Sequence, residues 1–448
     1  MSVRNPITSL IVSAVALGLP VIAQAATGEA ISAEDVRQLV EQNRRLQEQV
    51  TAQQRQLDEL RARLDAIATA GQRQERVLDD LRDQVADRGP AARSDAVGDI
   101  RLSGEAGLAY FDGGPRGAWP NGEFRADDVK IYLETPVWRD TYLFAELDLV
   151  TREVNDEFFH MGEVYVDFEN VSGRLGGPDR LLNLRIGRFD IPFGEEYLHR
   201  GLLDNPLITH SVADLWGVDE GVELYGSAGR LSYVFAVQNG GHKTLRDFDS
   251  DKAMTLRVGF DPTAWLHLSG SAMRTGDLTV AGDFLSEIWI GGGFFRSIGA
   301  AATTQGFSAT LYQADERATW DGGHLSAAVG AARYDDNDTA ADNRRDLDHY
   351  AVELVQRING GLYGAIRHSE ISVQKGGFPL QGLGSPGTFF YSGLPLAEGL
   401  ERFSLGLGYR FSDPLVFKIE YAWEDGRMIN GQPRNQEDLF ATEIGVRF

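Results

Sequence analysis

From residue 98 onward, hydrophobic and polar positions alternate with period two, the pattern of extended strands with unlike faces. Val129, Ile131 and Leu133 share one face against Lys130, Tyr132 and Glu134. Leu143, Ala145, Leu147 and Leu149 oppose Phe144, Glu146 and Asp148, and Val164, Val166 and Phe168 oppose Glu163, Tyr165 and Asp167. Further apolar rows run through 231–237, 254–260, 403–411 and 417–423, and the last segment, 440–448, finishes on Phe448. Near the middle, Leu182, Leu184 and Ile186 oppose Asn183 and Arg185, and G-R-F-D-I-P-F-G follows from Gly187 to Gly194. Pro192 has no N–H for a ladder and ends that strand. The stretch 191–217 is longer than an ordinary connection, and loops beyond about 12–15 residues are usually functional.

Upstream the period changes to seven. Val36, Asn43, Val50, Leu57, Leu64, Gly71, Leu78 and Val85 take the a positions. Leu39, Leu46, Gln53, Leu60, Ile67, Gln74 and Leu81 take the d positions, which predicts a coiled coil. At 1.5 Å per residue, such a rod would reach roughly 75 Å. Gly89-Pro90 stops the helix, so the segments predicted are a coiled coil over 26–89, a linker over 90–97 and a strand domain over 98–448. Residues 1–25 read as a signal peptide: Arg4, an apolar run over 10–22 broken by Gly18 and Pro20, and Ala23-Gln24-Ala25 as the cleavage site.

The connections between strands alternate in length. Tight turns are predicted at 136–141, 226–230, 261–264, 320–324, 359–362 and 412–414. Long polar loops fall at 112–121, 239–251, 334–346, 374–399 and 424–438. Taking 277–304 as one loop, despite its apolar I-W-I-G-G-G-F-F, gives sixteen strands with both ends on the short-turn side. That is the layout of an all-β membrane barrel with an even number of antiparallel strands. Composition fits it: 51 Gly, 44 aromatic residues (7 Trp, 14 Tyr, 23 Phe) and a net charge of −23. The acidity argues against nucleic acid as a partner. With no cysteine, neither disulfides nor cysteine acylation is expected.

The signal peptide, the heptads ahead of the strands, the Gly187–Gly194 motif and the terminal Phe448 together resemble the phosphate-selective porin O and P family of Gram-negative outer membranes. The resemblance implies a homotrimer of sixteen-stranded barrels in outer-membrane lipid and lipopolysaccharide, with the coiled coil in the periplasm. Each pore would be narrowed by the third long loop, and small anions such as phosphate or polyphosphate would diffuse through it. A second possibility is a non-specific or cation-leaning porin whose rod also tethers it to peptidoglycan.

Charge on a lipid-facing strand position costs about 2–4 kcal/mol at mid-membrane, so charges opposite the apolar rows are predicted to face the lumen. These are Lys130, Arg185, Arg257, Arg402, Arg410 and Lys418, with Glu134, Glu146, Asp148, Glu163, Asp167, Glu223, Glu353 and Glu420. Arg185 and Arg188 lead into the loop and are the first candidates for touching solute. The loop itself offers Glu195, Glu196, Asp204 and Asp214 against Arg200, with no knot of lysines. Acids at a narrow point favour cations. The eight histidines show no metal-ligand spacing, and no nucleophile or phosphate-loop motif occurs. Neither an enzyme nor a cofactor is expected.

Overall fold

The computed structural model describes residues 100–448 except 116, 118, 151–157, 241–249, 277, 280–288, 291–292, 295–305, 337–343, 377, 380–395, 429–430 and 435. The predicted signal peptide, coiled coil and linker lie outside the described residues.

The strands run β1 (Arg101–Gly113), β2 (Glu123–Trp138), β3 (Thr141–Val150), β4 (Phe158–Phe168), β5 (Asn183–Asp190), β6 (Val218–Ala228), β7 (Leu231–Gln238) and β8 (Ala253–Thr263). They continue as β9 (Leu266–Arg274), β10 (Gly306–Trp320), β11 (Gly323–Asp336), β12 (Arg345–Asn359), β13 (Leu362–Lys375), β14 (Leu396–Ser412), β15 (Leu415–Met428) and β16 (Leu439–Arg447). Every neighbour pairs antiparallel, and β1 pairs with both β2 and β16, which closes a sixteen-stranded barrel. Closure leaves no unpaired edge along the ring.

Burial follows the alternation. Leu256, Val258, Leu405, Leu407 and Tyr409 are exposed on the outside, while Arg367, Ser404, Lys418, Glu420 and Glu443 are buried inside. This inverts a water-soluble protein and matches a barrel with an apolar girdle and a polar interior. Along β14 and β15 the outer rows carry aromatic contacts towards both ends, Tyr409–Phe411 at 4.8 Å and Phe403–Trp423 at 5.5 Å. Aromatic belts of this kind sit where lipid meets water. Among the described residues no helix is long and apolar enough to cross a membrane.

Six connections on one rim are tight turns, at 139–140, 229–230, 264–265, 321–322, 360–361 and 413–414. One connection on that rim is longer than the alternation suggests. Residues 169–182 carry a one-turn helix α1, Val171–Arg174. Asn170 caps it from a left-handed backbone (φ 55), its side chain accepting from Gly173 N–H. Among the described residues no further barrel hairpin occurs between β9 and β10: Leu278–Thr279 pairs with the start of β10, Trp289–Ile290 and Gly293–Phe294 pair with one another, and Trp289–Ile290 also pairs with Leu215–Trp216 of the third long loop.

Candidate functional site

The third long loop begins where β5 stops. Within the motif, Gly187 has φ +142 and a Cβ there would stand 2.3 Å from the Val164 carbonyl oxygen. Gly194 has φ +73, and a Cβ there would meet Gln313 at 2.5 Å. Both positions therefore need glycine, one for strand approach and one for the turn. Between them Phe189, Ile191 and Phe193 are buried, and the Ile191 N–H donates to the Gly217 carbonyl at 2.8 Å, closing the base of the loop.

From this base the loop folds into the barrel. Gly194 N–H donates to Ser271 Oγ on β9 at 3.0 Å. Leu202 N–H donates to Glu105 on β1 at 3.3 Å, and Val212 N–H to Ser369 Oγ on β13 at 3.0 Å. Glu420 on β15 accepts the Ile208 and Thr209 N–H groups at 2.6 and 2.8 Å and the Thr209 hydroxyl at 2.6 Å. Basic side chains hold the loop's carbonyls. Lys418 Nζ donates to Leu202, Leu207 and Asn205 at 2.7, 3.1 and 3.4 Å. Arg367 donates to Thr209 O at 2.6 Å, Arg402 to His210 O at 2.7 Å and Arg410 to Leu203 O at 2.8 Å. Arg447 reaches Asp204 at 2.7 Å. Leucines of the loop press against glycines of the inner wall: a Cβ at Gly406 would stand 2.4 Å from Leu207 Cδ2, and one at Gly107 would stand 2.9 Å from Leu202 Cδ1.

The loop thus lies along the inner wall of β13–β16 and β1. Its remaining charges are largely matched within it or with β8. Arg200 makes a bidentate pair with Asp214, Nε–Oδ2 3.0 Å and Nη2–Oδ1 2.8 Å, and stacks over Trp216 at 5.1 Å. Burial pushes the Asp214 carboxyl up, against the pull of Arg200. Glu196 accepts from the Ser211 N–H and hydroxyl at 2.8 and 2.5 Å. Arg257 donates to Glu195 at 3.1 Å and lies over Tyr197 at 5.0 Å. Beside the loop a cavity is lined by Glu195, His199, His210, Arg317, Glu353 and Arg367. Burial, helped by the Arg317 charge, holds His199 below the usual histidine range.

The inner faces of β2–β6, away from these anchors, carry a different surface. Lys130 pairs with Glu146 at 2.9 Å and stands 3.7 Å from Asp148. Arg185 pairs with Asp167 at 3.1 Å and Glu223 at 3.2 Å. Each base is therefore flanked by two carboxylates, while Glu134 and Glu163 add further acid. Tyr132, Phe144 and Tyr165 form a stacked row, with centroids 6.0 and 5.1 Å apart. Arg185 continues it, 4.2 Å over Tyr165 and 5.3 Å over Tyr225.

Of the residues singled out from the sequence, Lys130 and Arg185 share this wall, and Arg257, Glu195, Glu196, Arg200 and Asp214 come together around the loop. Three sit elsewhere. Lys418 is 2 % exposed and, like Arg410, braces the back of the loop. Arg188 lies opposite Val164 and Glu220, in the outward row of Ile186, and pairs with Glu220 at 2.9 Å. For Lys418 and Arg410 the physical reason is common. Alternation assigns a face, but a folded-in loop or a neighbouring carboxylate decides what that face meets. Arg367 and Arg317 were not found from sequence. The alternation Tyr363, Ala365, Arg367, Ser369, Ile371 would have signalled Arg367, but His368 and Glu370 on the other face blur the row.

No family model matches the chain, and no curated protein matches it. Solved structures do. OmpT, an outer membrane protein of Vibrio cholerae, is 9% identical with a TM-score of 0.53, the match covering 80% of this chain and 100% of that one. The outer membrane channel DcaP of Acinetobacter baumannii is 12% identical with a TM-score of 0.53, covering 79% of this chain and 98% of that one. At such identities the likeness is one of fold: this chain shares the barrel architecture of these outer-membrane proteins.

Proposed function

We propose that the chain is an outer-membrane porin, a passive path for small hydrophilic solutes that performs no reaction and needs no cofactor. The observation that carries this is the inward third loop. It is fixed to the lumen wall by side chains from seven strands, inside a closed barrel whose outside is apolar. A loop held in this way narrows a passage without sealing it by chemistry, the arrangement that sieves solutes by size and charge. The fold shared with the outer membrane channel DcaP supports the same reading.

The phosphate path implied by the family resemblance has less support. An anion filter needs uncommitted cations at the narrow section, yet Lys418, Arg410, Arg402 and Arg367 are engaged by the loop's carbonyls. The wall of β2–β6 carries more acid than base. The cation-leaning alternative is therefore favoured. Outer-membrane lipid and lipopolysaccharide are the proposed surroundings; a homotrimer and a peptidoglycan contact are proposed from the resemblance and the heptads.

The test is conductance of the purified protein in planar bilayers, with a second protein lacking residues 196–214. Discrete current steps that grow when the loop is removed support the porin; a wild type that passes no current overturns it.

A further inference from the structure

The stacked band on β2–β6 has a composition that a general sieve does not need. It places one ring or guanidinium on each of five adjacent strands: Tyr132, Phe144, Tyr165, Arg185 and Tyr225. Three of its members already show what the surface binds. The Arg185 guanidinium sits between the faces of Tyr165 and Tyr225 while Asp167 and Glu223 neutralise it. A planar organic cation is thus held by ring faces and carboxylates together, and Tyr225 OH locks Asp167 in place at 2.8 Å.

The other half of the band repeats the ingredients without a built-in cation of that shape. Tyr132 and Phe144 lie within 24° of parallel. Diagonal to Tyr132, beyond Glu146 on β3 and opposite Lys130, is Asp148, whose side chain is 7 % exposed and whose Oδ1 accepts no hydrogen bond. Its nearest ammonium, Lys130 Nζ, is 3.7 Å away and donates to Glu146 instead. A buried carboxylate oxygen left without a donor is costly unless something completes it. Ring faces attract cations, Arg-type guanidinium in particular, within about 6 Å of the centroid.

We propose, resting on the porin reading above, that this half of the band is a subsite for small organic cations bearing a guanidinium or ammonium group. Such a solute would stack on Phe144 and Tyr132 as Arg185 stacks on Tyr165, and donate to Asp148. A neutral sugar could also use the ring faces, but it would leave the acid excess of the wall uncompensated.

The experiment is zero-current potential in planar bilayers at about pH 8, first in a KCl gradient and then in gradients of arginine chloride, potassium glutamate and neutral glucose added to KCl. The expected result is arginine permeating at least about fivefold better than glutamate, with micromolar-to-millimolar arginine reducing the KCl current while glucose does not. Asp148→Asn and Phe144→Leu should each weaken the arginine block at least about threefold. Phe144→Tyr, which keeps the ring, should restore it. A KCl current with arginine no more permeant than glutamate, or a block unchanged in both variants, overturns the inference alone. Block by glucose in place of arginine makes the band a sugar surface and also overturns it. A protein passing no KCl current at all removes the porin and this subsite together.

Discussion

Lys418 holds its ammonium among three carbonyls of the loop and the Glu443 carboxylate, 2.7 Å away, almost wholly out of water. Removing one partner of such a pair leaves the other buried and uncompensated, a loss of about 3–5 kcal/mol. Lys418→Met should therefore lower the unfolding transition clearly, while K⁺/Cl⁻ permeability stays within about twofold, because the charge does not reach the passage. Arg257→Ala, next to Glu195 in the lumen, should do the opposite. Gly406→Val tests the packing of the loop. A side chain there meets Leu207 at 2.4 Å, and overpacking of this kind costs about 1–3 kcal/mol; the expected outcome is a loosened loop seen as noisier, larger current steps. His199 gives a pH effect with a definite sign. Its folded value lies below the ordinary one, so it is neutral near pH 7 and gains charge only on acidification. Cation preference should fall on acidification below the ordinary histidine range, and His199→Gln should flatten that part of the fall; an unchanged profile would place the titrating group elsewhere. At this scale the sequence says which face a residue takes, as it does for Lys130 and Arg185. It cannot say that a loop residue 211 positions upstream will cover Lys418, because that contact is long-range and leaves no local period.

At the scale of elements, the barrel was the most legible part. Outward rows such as Leu405, Leu407 and Tyr409 repeat every second residue because lipid selects one face of every strand. The motif at Gly187–Gly194 marked the loop because two backbone constraints there admit only glycine. Two elements were not legible. The helix in 169–182 is four residues long, too short for a 3.6-residue period to show. The pairing of Leu215–Trp216 with Trp289–Ile290 joins two loops, and an apolar run such as I-W-I-G-G-G-F-F cannot be told from a strand or a buried segment by periodicity alone. That pairing ties the far end of the third loop to the connection between β9 and β10. Trp216→Pro removes a donor from the ladder; the expected outcome is faster proteolysis within 191–217 while strand content by circular dichroism is kept.

For the whole molecule, the proposed assembly rests on the heptads of residues 36–85 and the barrel together. Deleting 34–87 separates their roles. If the trimer is lost, the rod is an assembly device; if trimer and conductance persist while co-sedimentation with peptidoglycan is lost, it is a tether. The barrel's own function is decided by its lumen. With Arg367, Arg402, Arg410 and Lys418 engaged by the loop's carbonyls, and carboxylates flanking Lys130 and Arg185 on β2–β6, the proposed passage is expected to favour cations. Reversal potential of the purified full chain across a planar bilayer in a KCl gradient tests this most directly. Stable current with the sign of cation preference is the expected result. An anion-selective potential, or a barrel that carries no current, would contradict it.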